Sequence, residues 1–122
     1  RYTAPQSLVK DRYACFEQML SLSQSKHIPL VVVNLPVAGL IRNEAPPAVM
    51  SVYARRMQDL CSQYEAAYVN MDVRDEFADS DFYDGMHLNA RGGRKFFRDL
   101  ADRLDEGNAL ASLYGKGSGV WQ

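Results

Sequence analysis

The chain has little of most things that announce a specialised protein. In 122 residues it carries two cysteines, two histidines, one tryptophan and a net charge of −1. Two cysteines, Cys15 and Cys61, do not make a disulfide framework, and no CxxC or Cys/His cluster has zinc spacing. Both lie in helix-like, partly apolar stretches and read as buried free thiols. The 14 basic and 15 acidic residues cancel, and no basic run is interleaved with aromatics, so nucleic acid is not an expected partner. No apolar run approaches the ~20 residues that span a bilayer. The longest, "IPLVVVNLPVAGLI", is interrupted by Pro29, Asn34, Pro36 and Gly39. No membrane contact is expected from this chain, and no signal peptide is visible. The chain starts at Arg1, which fits a trimmed or processed piece.

What is present is ordinary globular composition: 47% hydrophobic and 24% charged residues. The length suits one domain. Residues 1–6 read as a lead-in and Ser7 as the cap of a helix running to Ser25. Val9, Tyr13, Phe16 and Leu20 repeat at the spacing of one buried helical face. "LVVVNL", Leu30 to Leu35, is a β-branched run that suits a strand buried on both faces of a parallel sheet. "PVAGLIRNEAPP" reads as a loop at the C-terminal end of that strand, where α/β folds keep their sites. Arg42 and Asn43 on it are candidates to face a substrate.

Pro46 and Pro47 suit the first turn of a second helix, running to Tyr64, with Val49, Tyr53, Met57, Leu60 and Tyr64 on one face. "AAYVNM", Ala66 to Met71, is a second strand. An acidic loop follows, and Asn89 caps a third helix through Leu104, with Phe97, Leu100, Ala101 and Leu104 inward. Gly92 and Gly93 sit early in it at a cost of about 1 kcal/mol each against Ala, which close packing on a neighbour would explain. Residues 106–122 form a Gly-rich tail with Trp121. The order is α/β with one βαβ unit. Two strands alone make a marginal sheet, so the sheet is expected to be incomplete in this chain. Its completion would come from the missing N-terminal half of a larger domain or from another copy.

The chemistry concentrates in "DFYDGMHLNARGGRKFF". Asp84 precedes His87 by three residues, a spacing that folds a carboxylate back onto the imidazole in a tight turn. A carboxylate on one ring nitrogen fixes the tautomer and leaves the other nitrogen free to accept a proton. The same spacing also serves a plain turn followed by a helix-entry residue. A metal site is the second reading, because Asp72, Asp75, Glu76, Asp79, Asp81 and Asp84 crowd one loop with His87 at its end. "DSDFYDG" breaks the Ca²⁺-loop spacing, which favours a solvated acidic loop and no metal. Arg91, Arg94, Lys95 and Arg98 read as a solvated basic face balancing that loop.

"FYDGMHLNARGGRKFF" resembles the C-terminal block of SGNH (GDSL-type) hydrolases, where a DxxHxN-like segment, a nearby Gly and an apolar helix carry the catalytic Asp and His. It is also similar to the equivalent block of D-alanyl transfer proteins and related cell-envelope acyl-transfer proteins. With the preceding helix, "PLVVVNLP", helix and "AYVNMD", the likeness covers residues 8–104. It implies part of a three-layer, flavodoxin-like α/β/α fold over residues 1–105. It further implies His87 as general base, Asp84 as its orienting acid and Asn89 as cap or supporting group. An ester or acyl substrate, no cofactor and an extracytoplasmic setting are among its implications. The family's nucleophile sits in a Gly-Asp-Ser block, and this chain has none. Its serines are Ser7, Ser21, Ser23, Ser25, Ser51, Ser62, Ser80, Ser112 and Ser118, and none falls on a strand-to-helix elbow. The expectation is a C-terminal half whose serine lies outside this chain, inactive by itself. The alternative is a non-catalytic α/β interaction or self-associating module.

Overall fold

A computed structural model describes residues 5–73 and 76–107. The tail beyond Gly107, with Trp121, lies outside the described residues, as does Asp75. The first helix, α1, spans Gln6–Ser25. Pro5, not Ser7, stands at its N-cap position, and the Pro5 carbonyl accepts from the Val9 N–H at 3.2 Å. A proline there loses nothing, because its missing N–H has no partner to satisfy. The strand β1 spans Val31–Asn34. The short helix α2, Gly39–Arg42, lies inside what the sequence suggests is loop. Four residues are too few for a 3.6-residue period to show. The crossover helix α3 spans Pro47–Gln63, the strand β2 spans Ala67–Asn70, and the last helix α4 spans Ala90–Glu106.

Both long helices that feed a strand end in the same way. His27 after α1 has φ 54° and Glu65 after α3 has φ 57°. This left-handed residue reverses the chain and lets the last helical carbonyls be satisfied. The Ile28 N–H then reaches the Ser23 carbonyl at 2.9 Å, and the Ala66 N–H reaches the Cys61 carbonyl at 2.8 Å.

β1 and β2 pair in parallel, Val31 opposite Ala67 through Asn34 opposite Asn70. The last rung is reinforced by side chains: Asn34 Nδ2 donates to Asn70 Oδ1 at 2.8 Å. On one face, Val33 and Val69 pack on a core of Ala38, Met71, Phe77, Phe82 and Phe96. Side chains alternate along a strand, so Tyr68 belongs to the opposite face. Burial there, then Tyr53 and Cys61 of α3 and Asp72, raise its hydroxyl pKa to about 12. α1 is tied to α3 by polar tips: the Tyr64 hydroxyl meets Glu17 Oε1 at 2.6 Å, and the Arg56 guanidinium lies 3.7 Å over the Tyr13 ring.

Several expectations are corrected. Both strands are half-exposed along their whole length, not buried on both faces. As expected, the sheet among the described residues has two strands, so each has an open edge. Cys61 is buried, but Cys15 is exposed; both are free. In α4 the inward aromatic is Phe96, 6% exposed, while Phe97 is 70% exposed and Ala101 also faces out. Gly92, Phe96 and Leu100 are four apart and share a face, which Phe97 leaves by about 100°. Arg103 on α4 anchors the helix to the strand end, donating to the Asn70 carbonyl at 2.8 Å and to Glu76 at 2.6 and 2.8 Å.

Candidate catalytic site

Between β2 and α4, the stretch Phe82 to Leu88 folds as a tight hairpin beside the start of α4. Phe82 and Leu88 form an antiparallel bridge, and the Tyr83 N–H donates to the His87 carbonyl at 2.7 Å. Asn89 closes the base of this hairpin. Its Oδ1 accepts from the Arg91 and Gly92 N–H groups at 3.0 Å each, capping α4. Its Nδ2 donates to the Ser80 carbonyl at 2.8 Å. One side chain therefore joins the helix start to the hairpin.

At the hairpin tip, Asp84 folds back on the chain that follows it. Its Oδ1 accepts from the Met86 N–H at 2.8 Å and from the His87 N–H at 2.7 Å. His87 Nδ1 lies 2.9 and 2.8 Å from the two carboxylate oxygens. The Met86 N–H first, then the His87 ring and N–H, hold the Asp84 carboxyl below the usual carboxylate range. An ionised carboxylate only accepts, so Nδ1 carries a proton, and in the neutral ring it is Nε2 that presents the lone pair. The His87 side chain is 77% exposed. Among the described residues Nε2 has no hydrogen-bond partner, and no serine hydroxyl bonds the ring. Ser80 Oγ accepts from Arg91 at 3.1 Å instead. Ser112 and Ser118 lie outside the described residues.

The acidic loop is not uniformly solvated, a further correction. Asp81 is 2% exposed. Its carboxylate accepts from the Ala78 N–H at 3.0 Å and from Arg91 Nε at 2.9 Å, with Lys95 Nζ at 3.9 Å. The basic face of α4 thus partly converges on one carboxylate. Burial raises the Asp81 pKa, but the Ala78 N–H, Arg91 and Lys95 outweigh it and the net shift is downward. A folded-state pKa below the unfolded one means that the charged form stabilises the fold. That contribution is complete above about pH 4 and is lost as pH falls through the lowered value. Asp81→Asn is therefore expected to melt below wild type at pH 7, with the gap narrowing on acidification. Thermal melts from neutral to strongly acidic pH check this; a gap independent of pH contradicts it.

Arg42 and Asn43 differ in placement. Arg42 Nη2 is hydrogen-bonded to Asp72 Oδ1 and to the Val37 carbonyl, and its side chain is 14% exposed. It is committed to the scaffold. Asn43 is exposed at the C-terminal end of α2. Sequence reasoning counted Asp81 only as one of six loop carboxylates and gave no role to Gly85 or Ile41; all three hold the hairpin. Nothing in a run of six loop carboxylates marks Asp81 as one that becomes buried. Among the described residues, no group of three or more His, Cys, Asp or Glu side chains is arranged to hold a metal ion, and no helix is long and apolar enough to cross a membrane. A groove of about 560 Å³ runs along α3, lined by Val52, Arg55, Arg56 and Asp59 among others, and shares no lining residue with the Asp84–His87 pair.

No family model matches the chain, and no curated protein or solved structure matches it either.

Proposed function

We propose that this chain is the C-terminal half of an SGNH-like serine esterase or acyltransferase and carries the Asp and His of its triad. The observation that carries this reading is the Asp84–His87 contact with an open Nε2, presented on a hairpin that follows a parallel strand and opens the last helix. The open sheet edges support it, since half of an α/β/α domain leaves such edges.

In this reading a serine hydroxyl from outside the chain approaches His87 Nε2. His87 takes its proton as Oγ attacks the ester carbonyl. Asp84 stabilises the imidazolium that forms and keeps Nδ1 protonated. The imidazolium returns the proton to the departing alkoxide. In the second half-reaction His87 deprotonates water, for hydrolysis, or an acceptor alcohol, for transfer, as its oxygen attacks the acyl carbonyl, and returns that proton to the serine Oγ as the acyl–Oγ bond breaks.

The chain alone is expected to hydrolyse p-nitrophenyl acetate no faster than an equal concentration of free imidazole. A protein that also contains the preceding half is expected to do so well above that rate. The same open edges, with exposed Leu35 and Leu40, favour a second reading, an interaction or self-associating module. The longer protein failing to hydrolyse the ester would leave that reading in place.

A further inference from the structure

The hairpin tip leans on the segment that follows β1. The Ala38 N–H donates to the Gly85 carbonyl at 3.1 Å, and the Gly39 N–H donates to Asp79 Oδ1 at 3.0 Å. A Cβ on Gly85 would lie 2.7 Å from Ile41 Cγ1 and 2.9 Å from its Cδ1. α2 is held from behind as well: the Val37 N–H, at 3.2 Å, and Arg42 both bond Asp72 Oδ1, just past the end of β2. A continuous set of contacts therefore runs from the strand end, through α2, to the turn that carries Asp84 and His87.

We propose that α2, through Ile41 seated on Gly85, is the positioning element of the Asp84–His87 pair. It fixes the turn so that the carboxylate meets Nδ1 while Nε2 points outward. Its catalytic meaning rests on the function proposed above; the positioning itself does not. Gly85 does not occupy the left-handed region, so its backbone accepts an L side chain. What excludes a Cβ is Ile41, and the two positions are therefore coupled. Ile41 is a positioning residue and touches no reacting atom.

The chain has two histidines, so ¹⁵N imidazole spectra resolve His87 against exposed His27 as an internal reference. At a pH where both rings are neutral, wild-type His87 is expected to be held in the Nδ1–H tautomer. Gly85→Ala is expected to lower the ratio of Nδ1–H to Nε2–H at least about twofold, toward that of His27. Ile41→Ala alone removes the contact without inserting an atom, and serves if Gly85→Ala does not fold; it is expected to lower the ratio as well. The double variant, in which the new methyl fills the space Ile41 vacates, is expected to return toward wild type. Wild-type ratios in both single variants, or a double variant no better than Gly85→Ala, overturn the positioning role. A wild type with no Nδ1–H preference overturns the Asp84–His87 contact and the proposed function with it. The predicted tautomer cycle together with full ester hydrolysis by a His87→Ala form of the longer protein upholds the positioning and sinks only the catalytic reading.

Discussion

Replacing His87 by Ala in the protein that supplies the serine is expected to lower kcat/KM for p-nitrophenyl acetate by about 10³-fold or more. The fall should lie in kcat with KM nearly unchanged, because in the proposed reaction the imidazole acts on the proton in flight and not on the bound ester. Asp84→Asn is expected to lower kcat by on the order of 10²–10⁴-fold. Asparagine still offers an oxygen to Nδ1, but it brings no charge to stabilise the imidazolium. It can also present its amide N–H and turn the ring into the wrong tautomer. Full activity in the His87→Ala protein would remove the functional assignment, and equal activity in Asp84→Asn and wild type would remove Asp84 from it.

Gly92→Ala is expected to be the most damaging small substitution in the described structure. The added methyl would stand 2.1 Å from the Asp81 carbonyl oxygen and 2.9 Å from its carbon. Those are backbone atoms, and they cannot swing aside as a side-chain end can. The same carbonyl accepts from the Asn89 N–H at 2.9 Å, so moving it also disturbs the capped start of α4. The cost should be roughly 3 kcal/mol or more, at the upper end of overpacking effects. In a domain of this size that lowers Tm by roughly 10 °C or more. Gly93→Ala is the matched control, since a Cβ there meets nothing within 4 Å. It should gain up to about 1 kcal/mol from helix propensity. Melting curves by circular dichroism separate the two, and similar Tm values for both variants would contradict the close approach at Gly92.

Much of this arrangement is legible in the sequence for local reasons. Three helices and two strands announce themselves through periodicity, β-branching and proline placement. Asn89 reads as a cap because a short acceptor side chain stands immediately before an amphipathic run. The three-residue gap between Asp84 and His87 limits where the carboxylate can reach. What is not legible depends on distant contacts. "KFFR" does not say which phenylalanine turns inward; the choice of Phe96 follows from Gly92 four residues earlier, whose face is pressed on Asp81. The acidic loop does not say that Asp81 is buried under Arg91 and Lys95, because that pairing exists only once α4 has docked. Arg42 looks like a loop residue available to a substrate until α2 and Asp72 come together at the strand ends. The strands look fully buried because a β-branched run carries no mark of how many neighbours its sheet has. Among the described residues that sheet has two strands.

The central claim is that the serine served by Asp84 and His87 lies outside these 122 residues. A fluorophosphonate reacts with a serine only where a neighbouring base activates it, and peptide mass spectrometry locates the adduct. In the protein extended by its preceding half, one adduct is predicted, on a serine upstream of Arg1, and it should disappear in His87→Ala. An adduct on one of the serines of this chain, or an upstream adduct that survives the loss of His87, would contradict the account.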